Sequence, residues 1–249
     1  MKNFHFFIKP ENVSKDRITI TGELLHRMKN VLRYNTGDSV KLLTQPSRKT
    51  RGKKYTGVIE SISDAELTVK ILSEEESAGK ALFTTLYISL IKTKNFQYAL
   101  QKATELGVSR IVPLLAQRSV VKIAGDSEEK KLVRWRAIVR EAAEQCKRSD
   151  IPEVTRIIRA EDIMDLSDSA DVKIVCDENG GVLLKDYVSG FKSSKSISAA
   201  IGPEGGFTSE EMEAFSSSGF APVLLSEMIL RAETVPIFLM SVFQFEFSA

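Results

Sequence analysis

Ile197-Ser-Ala-Ala-Ile-Gly-Pro-Glu-Gly-Gly-Phe-Thr-Ser-Glu-Glu211 runs from a short apolar stretch, through a glycine-rich turn, into a polar segment that opens a helix. Gly202, Gly205 and Gly206 with Pro203 make a turn whose backbone can approach a ligand closely, with amides free to donate. Thr208 is placed to cap the next helix, and Glu211 three residues later completes a capping box. An ordinary strand-to-helix turn needs one glycine; three around the carboxylate of Glu204 favour a ligand site.

Outward from this turn, strands and helices alternate. Strands are predicted at Leu82–Leu90, Ile111–Leu115, Val154–Ile158, Val172–Cys176, Ile197–Ile201 and Pro222–Leu225. Helices are predicted at Asn95–Leu106, closed by Gly107, at Glu128–Cys146, from Ser209, and at about Ala232–Phe245. Leu132, Trp135, Val139, Ala142 and Cys146 fall at 3-4-3-4 spacing, one apolar stripe along the second helix. This alternation predicts an α/β fold with a mainly parallel sheet flanked by helices. Such sheets bind ligands at the carboxyl ends of their strands. Three predicted ends stand out: Cys176–Gly181, Ile201–Phe207 and Leu225–Arg231.

The first part of the chain reads differently. Phe4–Ile8, Arg17–Ile20, Ser39–Leu43, Tyr55–Ile62 and Glu66–Leu72 are strand-like, with one helix at Glu23–Leu32, which suggests a small β-barrel over residues 1–72. The polar, acidic run 73–80 reads as a linker, leaving 81–249 as the second domain. Between His26 and Tyr55 stand nine Lys or Arg and one acid, Asp38; of totals of 35 and 33, that leaves 26 basic and 32 acidic residues elsewhere. A concentrated basic stretch on a mildly acidic remainder points to a polyanion partner. Phosphate contacts are expected from Arg27, Arg33, Arg48, Lys49, Arg51, Lys53 and Lys54. Arg140 and Glu144 are spaced as an i,i+4 pair, so Arg140 is expected to be partly structural, with RNA contact as its other role. Glu105 opposes the dipole of its own helix end, which calls for a compensating cation or marks a site.

Several function classes are excluded. The chain lacks GxxxxGK[ST], an early GxGxxG and GxSxG, which argues against P-loop NTPases, standard dinucleotide folds, open-sheet methyltransferases and nucleophile-elbow hydrolases. Two cysteines and two distant histidines form no metal-ligand pattern, and the cysteine count suits a reducing compartment. The apolar run Val235–Phe247 is short and interrupted, and no signal peptide is read, so a soluble cytoplasmic protein is expected.

Ile201-Gly-Pro-Glu-Gly-Gly-Phe207, followed by Ile229-Leu-Arg-Ala-Glu-Thr234, resembles the signature of the RsmE family of SPOUT-type RNA methyltransferases. Gln101–Val108, Glu141–Cys146 and His26–Asp38 are similar to further family segments, so the likeness covers essentially the whole chain. It implies a PUA-like barrel in front of a domain with a C-terminal trefoil knot, a homodimer, and no metal. It also implies methyl transfer from S-adenosylmethionine to N3 of a uridine in 16S rRNA of the small ribosomal subunit. The cofactor would lie on Cys176 and Asp177, on Ile201, Gly202, Pro203, Glu204, Gly205 and Gly206, and on Leu225, Ser226, Ile229 and Leu230. Arg231 would stabilise the uridine anion, unless it pairs with Glu227 or Glu233. Glu204 would accept the N3 proton or hold its loop. The chain departs from the family at Ser226-Glu227-Met228, where Gly-Pro-Arg is usual, and at Val235, where Ala is usual. The altered 226–228 loop is the one feature that favours an alternative, a non-catalytic RNA-binding ribosome assembly factor that keeps the fold; methylation of another base or of a 2′-hydroxyl by the same fold is a third reading.

Overall fold

A computed structural model describes residues 4–46, 52–77, 82–121, 127–165, 168–191 and 193–247. Arg48, Lys49 and Arg51 of the basic stretch lie outside these residues. The chain forms two compact units: Met1–Gly79 with Ala143–Ile151, and Lys80–Ala142 with Pro152–Ala249. The predicted second domain is therefore interrupted, because residues 143–151 belong with the first unit.

In the first unit, a six-stranded mixed sheet runs in the order β1-β4-β5-β6-β3-β2. Its strands are β1 (His5–Ile8), β2 (Val13–Ser14), β3 (Arg17–Ile20), β4 (Ser39–Thr44), β5 (Lys53–Ile62) and β6 (Leu67–Glu76). β1 pairs parallel with β4, and the other pairings are antiparallel. Helix α1 (Gly22–His26) continues as a π-helical turn, Arg27–Val31. Phe6, Ile18, Ile20, Met28, Leu42, Leu67 and Val69 form the core, with side chains from alternate strand positions. On the opposite face, Phe7 and Leu43 pack against Ala143 and Ile151. Glu144 arrives with that segment, is 0% exposed, and accepts the Phe7 amide at 3.4 Å while pairing with Arg27.

The predicted linker is corrected over its first half. Ser73–Glu76 continue β6, with Lys53 opposite Glu76, Lys54 opposite Glu75 and Tyr55 opposite Glu74. Read alone, SEEE looks like solvated chain. Across the sheet it meets the basic strand, and opposite charges on facing positions favour pairing.

The second unit is built on an eight-stranded sheet in which every pairing is parallel. Its strands are β7 (Phe83–Ser89), β8 (Arg110–Leu115), β9 (Glu153–Val154), β10 (Ile158–Arg159), β11 (Val172–Cys176), β12 (Val182–Leu183), β13 (Ser196–Ile201) and β14 (Ala221–Leu224). The order is β10-β8-β7-β13-β11-β14-β12, with β9 also on β8. Helices are α2 (Thr93–Glu105), α3 (Ser127–Gln145), α4 (Leu184–Ser189), α5 (Ser209–Ser217) and α6 (Val235–Phe247). The apolar stripe of α3 is buried at Leu132, Trp135, Val139 and Ala142, with the Trp135 ring 4.7 Å from that of Phe96 on α2. Glu105 is compensated by Lys102, whose ammonium lies 2.8 Å from the carboxylate.

Two predicted boundaries shift. The single strand predicted at Val154–Ile158 is two separate two-residue strands, Glu153–Val154 and Ile158–Arg159. The last helix begins at Val235, not Ala232. Pro236 has no N–H to donate, so it fits only the first helical turn. Ahead of it, the amides of Thr234 and Val235 both bond the Arg231 carbonyl, at 2.8 and 3.2 Å. β12 and α4 were not predicted; each is too short to show a periodic pattern.

The Glu144 carboxylate tests this account of the first unit. Arg27→Ala removes one partner of a buried charge, which should cost on the order of 2–3 kcal/mol. A lower midpoint in urea unfolding, with a smaller loss in Glu144→Gln, is the expected result.

Candidate functional site

β13, β11 and β14 are neighbours, and their register sets Val175 beside both Ala200 and Pro222, so the three strands end almost level. The loops that follow enclose a cavity of about 920 Å³. The cavity contains every residue predicted to hold a cofactor: Cys176 and Asp177, Ile201 to Gly206, and Leu225, Ser226, Ile229 and Leu230. Glu204 and Arg231 also line it. Three segments far apart in sequence thus meet at the carboxyl edge of a parallel sheet, where side chains and free backbone groups face open space.

The glycine-rich turn is held from two sides. The Gly206 amide bonds the Pro203 carbonyl at 2.9 Å, and Gly206 adopts φ +68°, a left-handed conformation that suits glycine. Arg118, in the loop after β8, donates to the carbonyls of Gly205 at 2.9 Å and Phe207 at 3.4 Å. A Cβ on Gly205 would come within 3.3 Å of the Arg118 stem, so the small residue lets the arginine lie across the turn. On the helical side the predicted capping box is present: the Thr208 hydroxyl accepts the Glu211 amide at 3.3 Å, and the Glu211 carboxylate accepts the Thr208 amide at 2.9 Å. The other carboxylate oxygen accepts the Gln117 amide at 2.8 Å, tying the loop after β8 to the start of α5.

The other two loops are closed more locally. The Asp177 amide bonds the Val223 carbonyl at 3.0 Å, and its carboxylate accepts the Asn179 amide at 2.9 Å. Gly181, at φ +110°, sits so close to β14 that a Cβ would lie 2.4 Å from the Pro222 carbonyl. Ser226 donates its hydroxyl to the Met228 carbonyl at 2.8 Å, so one of the unusual residues in this loop shapes the turn itself. Met228 and Ile229 are 75% and 81% exposed and give the cavity an apolar edge.

Arg231 is exposed, and among the described residues it forms no ion pair with Glu227 or Glu233. Its charge therefore remains available at the cavity. Glu204 is likewise exposed on the turn. Cys176 has a different character: burial pushes its thiol up to about 12, so the thiolate needed for nucleophilic work is absent near neutrality. Among the described residues, no group of His, Cys, Asp or Glu is placed to hold a metal ion, and no helix is long and apolar enough to cross a membrane.

The basic stretch is less free than its composition suggests. Arg27 is bound to Glu144 and stacks over Phe6. Lys53 lies 2.5 Å from Glu74, and Lys54 lies 3.7 Å from Glu75. Arg33 is exposed at φ +54°, and Arg140 is exposed on α3. Sequence reasoning missed Arg118, Lys92 and Asn95, which also line the cavity. They come from loops and helix starts that carry no motif, so only the fold brings them there.

The family of the RNA methyltransferase domain matches residues 79–244. Ribosomal RNA small subunit methyltransferase E of Bacillus subtilis is 29% identical over 235 residues, covering 92% of this chain and 90% of that protein. The protein of the same name from Mesomycoplasma hyopneumoniae is 33% identical, covering 74% and 78%. Among solved structures, a ribosomal RNA small subunit methyltransferase E from Neisseria gonorrhoeae bound to S-adenosyl methionine superposes with a TM-score of 0.85. It is 29% identical and covers 99% of this chain and 98% of that one. A putative methyltransferase from Legionella pneumophila, in complex with the same cofactor, gives 0.87 at 28% identity, covering 98% of both chains.

Glu211 satisfies two amides from separate segments, so its removal leaves both without an acceptor. Glu211→Ala should destabilise the protein by on the order of 2–3 kcal/mol, and Thr208→Ala by about 1 kcal/mol. Thermal unfolding of the two variants checks that order.

Proposed function

This chain belongs to the ribosomal RNA small subunit methyltransferase E family of RNA methyltransferases, and from that premise we propose its reaction: methyl transfer from S-adenosylmethionine to N3 of a uridine in small-subunit 16S rRNA. The observation that carries this reading is the single cavity formed where β13, β11 and β14 end level, lined by backbone from the glycine-rich turn and by Arg231.

The residues present suit the cofactor. A volume of about 920 Å³ lies at the upper end of the range for sites that enclose cofactor-sized ligands. Gly202 to Gly206 and Leu225 to Leu230 offer backbone donors and acceptors for the adenine and ribose, and Asp177 and Ser226 add polar side chains. When bound, S-adenosylmethionine supplies an electrophilic methyl group on a sulfonium centre. The remaining work falls to the protein. Uridine N3 carries a proton that is retained at neutral pH, so attack requires its loss. The guanidinium of Arg231 stabilises the anion that results. Glu204, on the opposing loop, accepts the proton. The exposed side chains of Met228 and Ile229 give the target base an apolar surface to lie against.

The wider expectations belong to the same proposal. A trefoil knot is supported by the insertion of β13 between β7 and β11 and by the return of α6 to pack on α2. A homodimer is supported by α6, where Phe245 is 86% exposed. The curled mixed sheet of the first unit suits a PUA-like barrel, and a cytoplasmic location follows from the substrate. The turn and Arg231 both remain open to a ligand, which weighs against the non-catalytic alternative.

Incubation with S-adenosylmethionine and small subunits from a strain lacking its own enzyme tests the reaction. Digestion and mass spectrometry should reveal N3-methyluridine; subunits bound but left unmethylated would sink the reading. Arg231→Ala should lower kcat on the order of 100-fold with cofactor affinity nearly unchanged. Arg118→Ala, which frees the glycine-rich turn, should instead weaken cofactor binding, by roughly tenfold as read by calorimetry.

A further inference from the structure

The face of the first unit turned away from its main core carries a second group of cations. In β1 and β4, Phe6, Ile8, Val40 and Leu42 point into the core, so His5, Phe7, Lys41 and Leu43 share the other face. The parallel register sets His5 beside Lys41 and Phe7 beside Leu43. Across the next pairing, Lys54 lies opposite Leu43. Ala143 and Ile151 pack on Phe7 and Leu43, and between them the chain turns through Lys147, held at φ +63°. Strands β1, β4 and β5 and the segment 143–151 therefore bring His5, Lys41, Lys54 and Lys147 together.

His5 is 7% exposed, and its ring nitrogens complete no hydrogen bond of full geometry, although the Arg148 backbone interacts with the imidazole. A buried polar group without a partner is costly, and such a group commonly marks a place where a ligand completes the bonding. Desolvation lowers the imidazole pKa, the charges of Lys41, Lys54 and Lys147 lower it further, and the Arg148 backbone opposes them. The acids on this side are largely engaged: Glu144 by Arg27, Asp150 by Arg148 at 3.0 Å, and Glu75 by Lys54 at 3.7 Å. Lys41 and Lys147 have no ion-pair partner among the described residues.

We propose that Lys41 and Lys147, flanked by His5 and by the Glu75-paired Lys54, form a phosphodiester-binding site that grips the backbone of the RNA substrate. The site rests on the RNA-substrate reading above and moves the grip away from Arg27 and Lys53, which are held in ion pairs. Its ammonium groups meet phosphate without reading sequence. The His5 imidazole, buried beneath them, lines the floor.

The test compares wild-type protein with Lys41→Gln/Lys147→Gln. Affinity for small-subunit rRNA is measured across a salt series, and S-adenosylmethionine affinity is measured alongside. Loss of two phosphate contacts should weaken RNA binding at least tenfold at moderate salt. It should also flatten log Kd against log salt by about 1.4 to 1.8, while cofactor affinity stays unchanged. A double variant with wild-type affinity and slope overturns the site. If the double variant loses cofactor binding as well, Lys147→Gln alone decides, with a slope change of about 0.7 to 0.9 expected and none overturning. Tight binding of inorganic phosphate alone to the wild type, unaffected by RNA, would mark a free-phosphate site and also overturn it. Wild-type protein that binds no rRNA fells the substrate reading and this site with it.

Discussion

The parallel register of β13, β11 and β14 is the constraint on which the rest depends. Parallel strands joined by helical crossovers all leave the sheet at the same edge, so their loops gather there whatever their order in sequence. Because Val175 is level with both Ala200 and Pro222, Cys176, Ile201 and Leu225 reach that edge together. A shift of one residue in any strand would turn its end residue to the other face of the sheet and open the cavity on one side.

Two buried carboxylates solve a shared problem in the two units. Glu211 takes the amides of Thr208 and Gln117, and Glu144 takes the amide of Phe7 together with Arg27. In each case the carboxylate bonds segments distant in the chain, and its own burial is tolerable because its oxygens are occupied. The first fixes where the glycine-rich turn enters its helix. The second fixes residues 143–151 against a sheet that neighbours them only in space.

Charge in the first unit is distributed by pairing rather than by composition. The basic strand β5 faces the acidic end of β6, so the residues that look most exposed in sequence are matched across the sheet. Among the described residues, Lys41, on the strand face that residues 143–151 cover, and Lys147, within that segment, form no ion pair. That arrangement makes an anion contact local and shaped, where a loose basic tail would be neither.

Much of the fold was legible in the sequence. Alternation of strand and helix patterns after Leu82 gave the parallel sheet, because apolar periodicity is a local property of each element. The Gly202–Gly206 turn and the Thr208–Glu211 box were likewise readable, since both are contained within a few residues. Loops after Cys176 and Leu225 were legible as strand ends, and the structure brings them into the same cavity. What only the tertiary structure decided are relations between segments: Arg118 across the turn, Glu144 under Phe7, the acidic run as strand instead of linker, and residues 143–151 joined to the first unit. Each depends on which surfaces meet after the chain has folded. A hydrogen bond or ion pair between residues 87 or 117 positions apart leaves no periodic trace in the sequence.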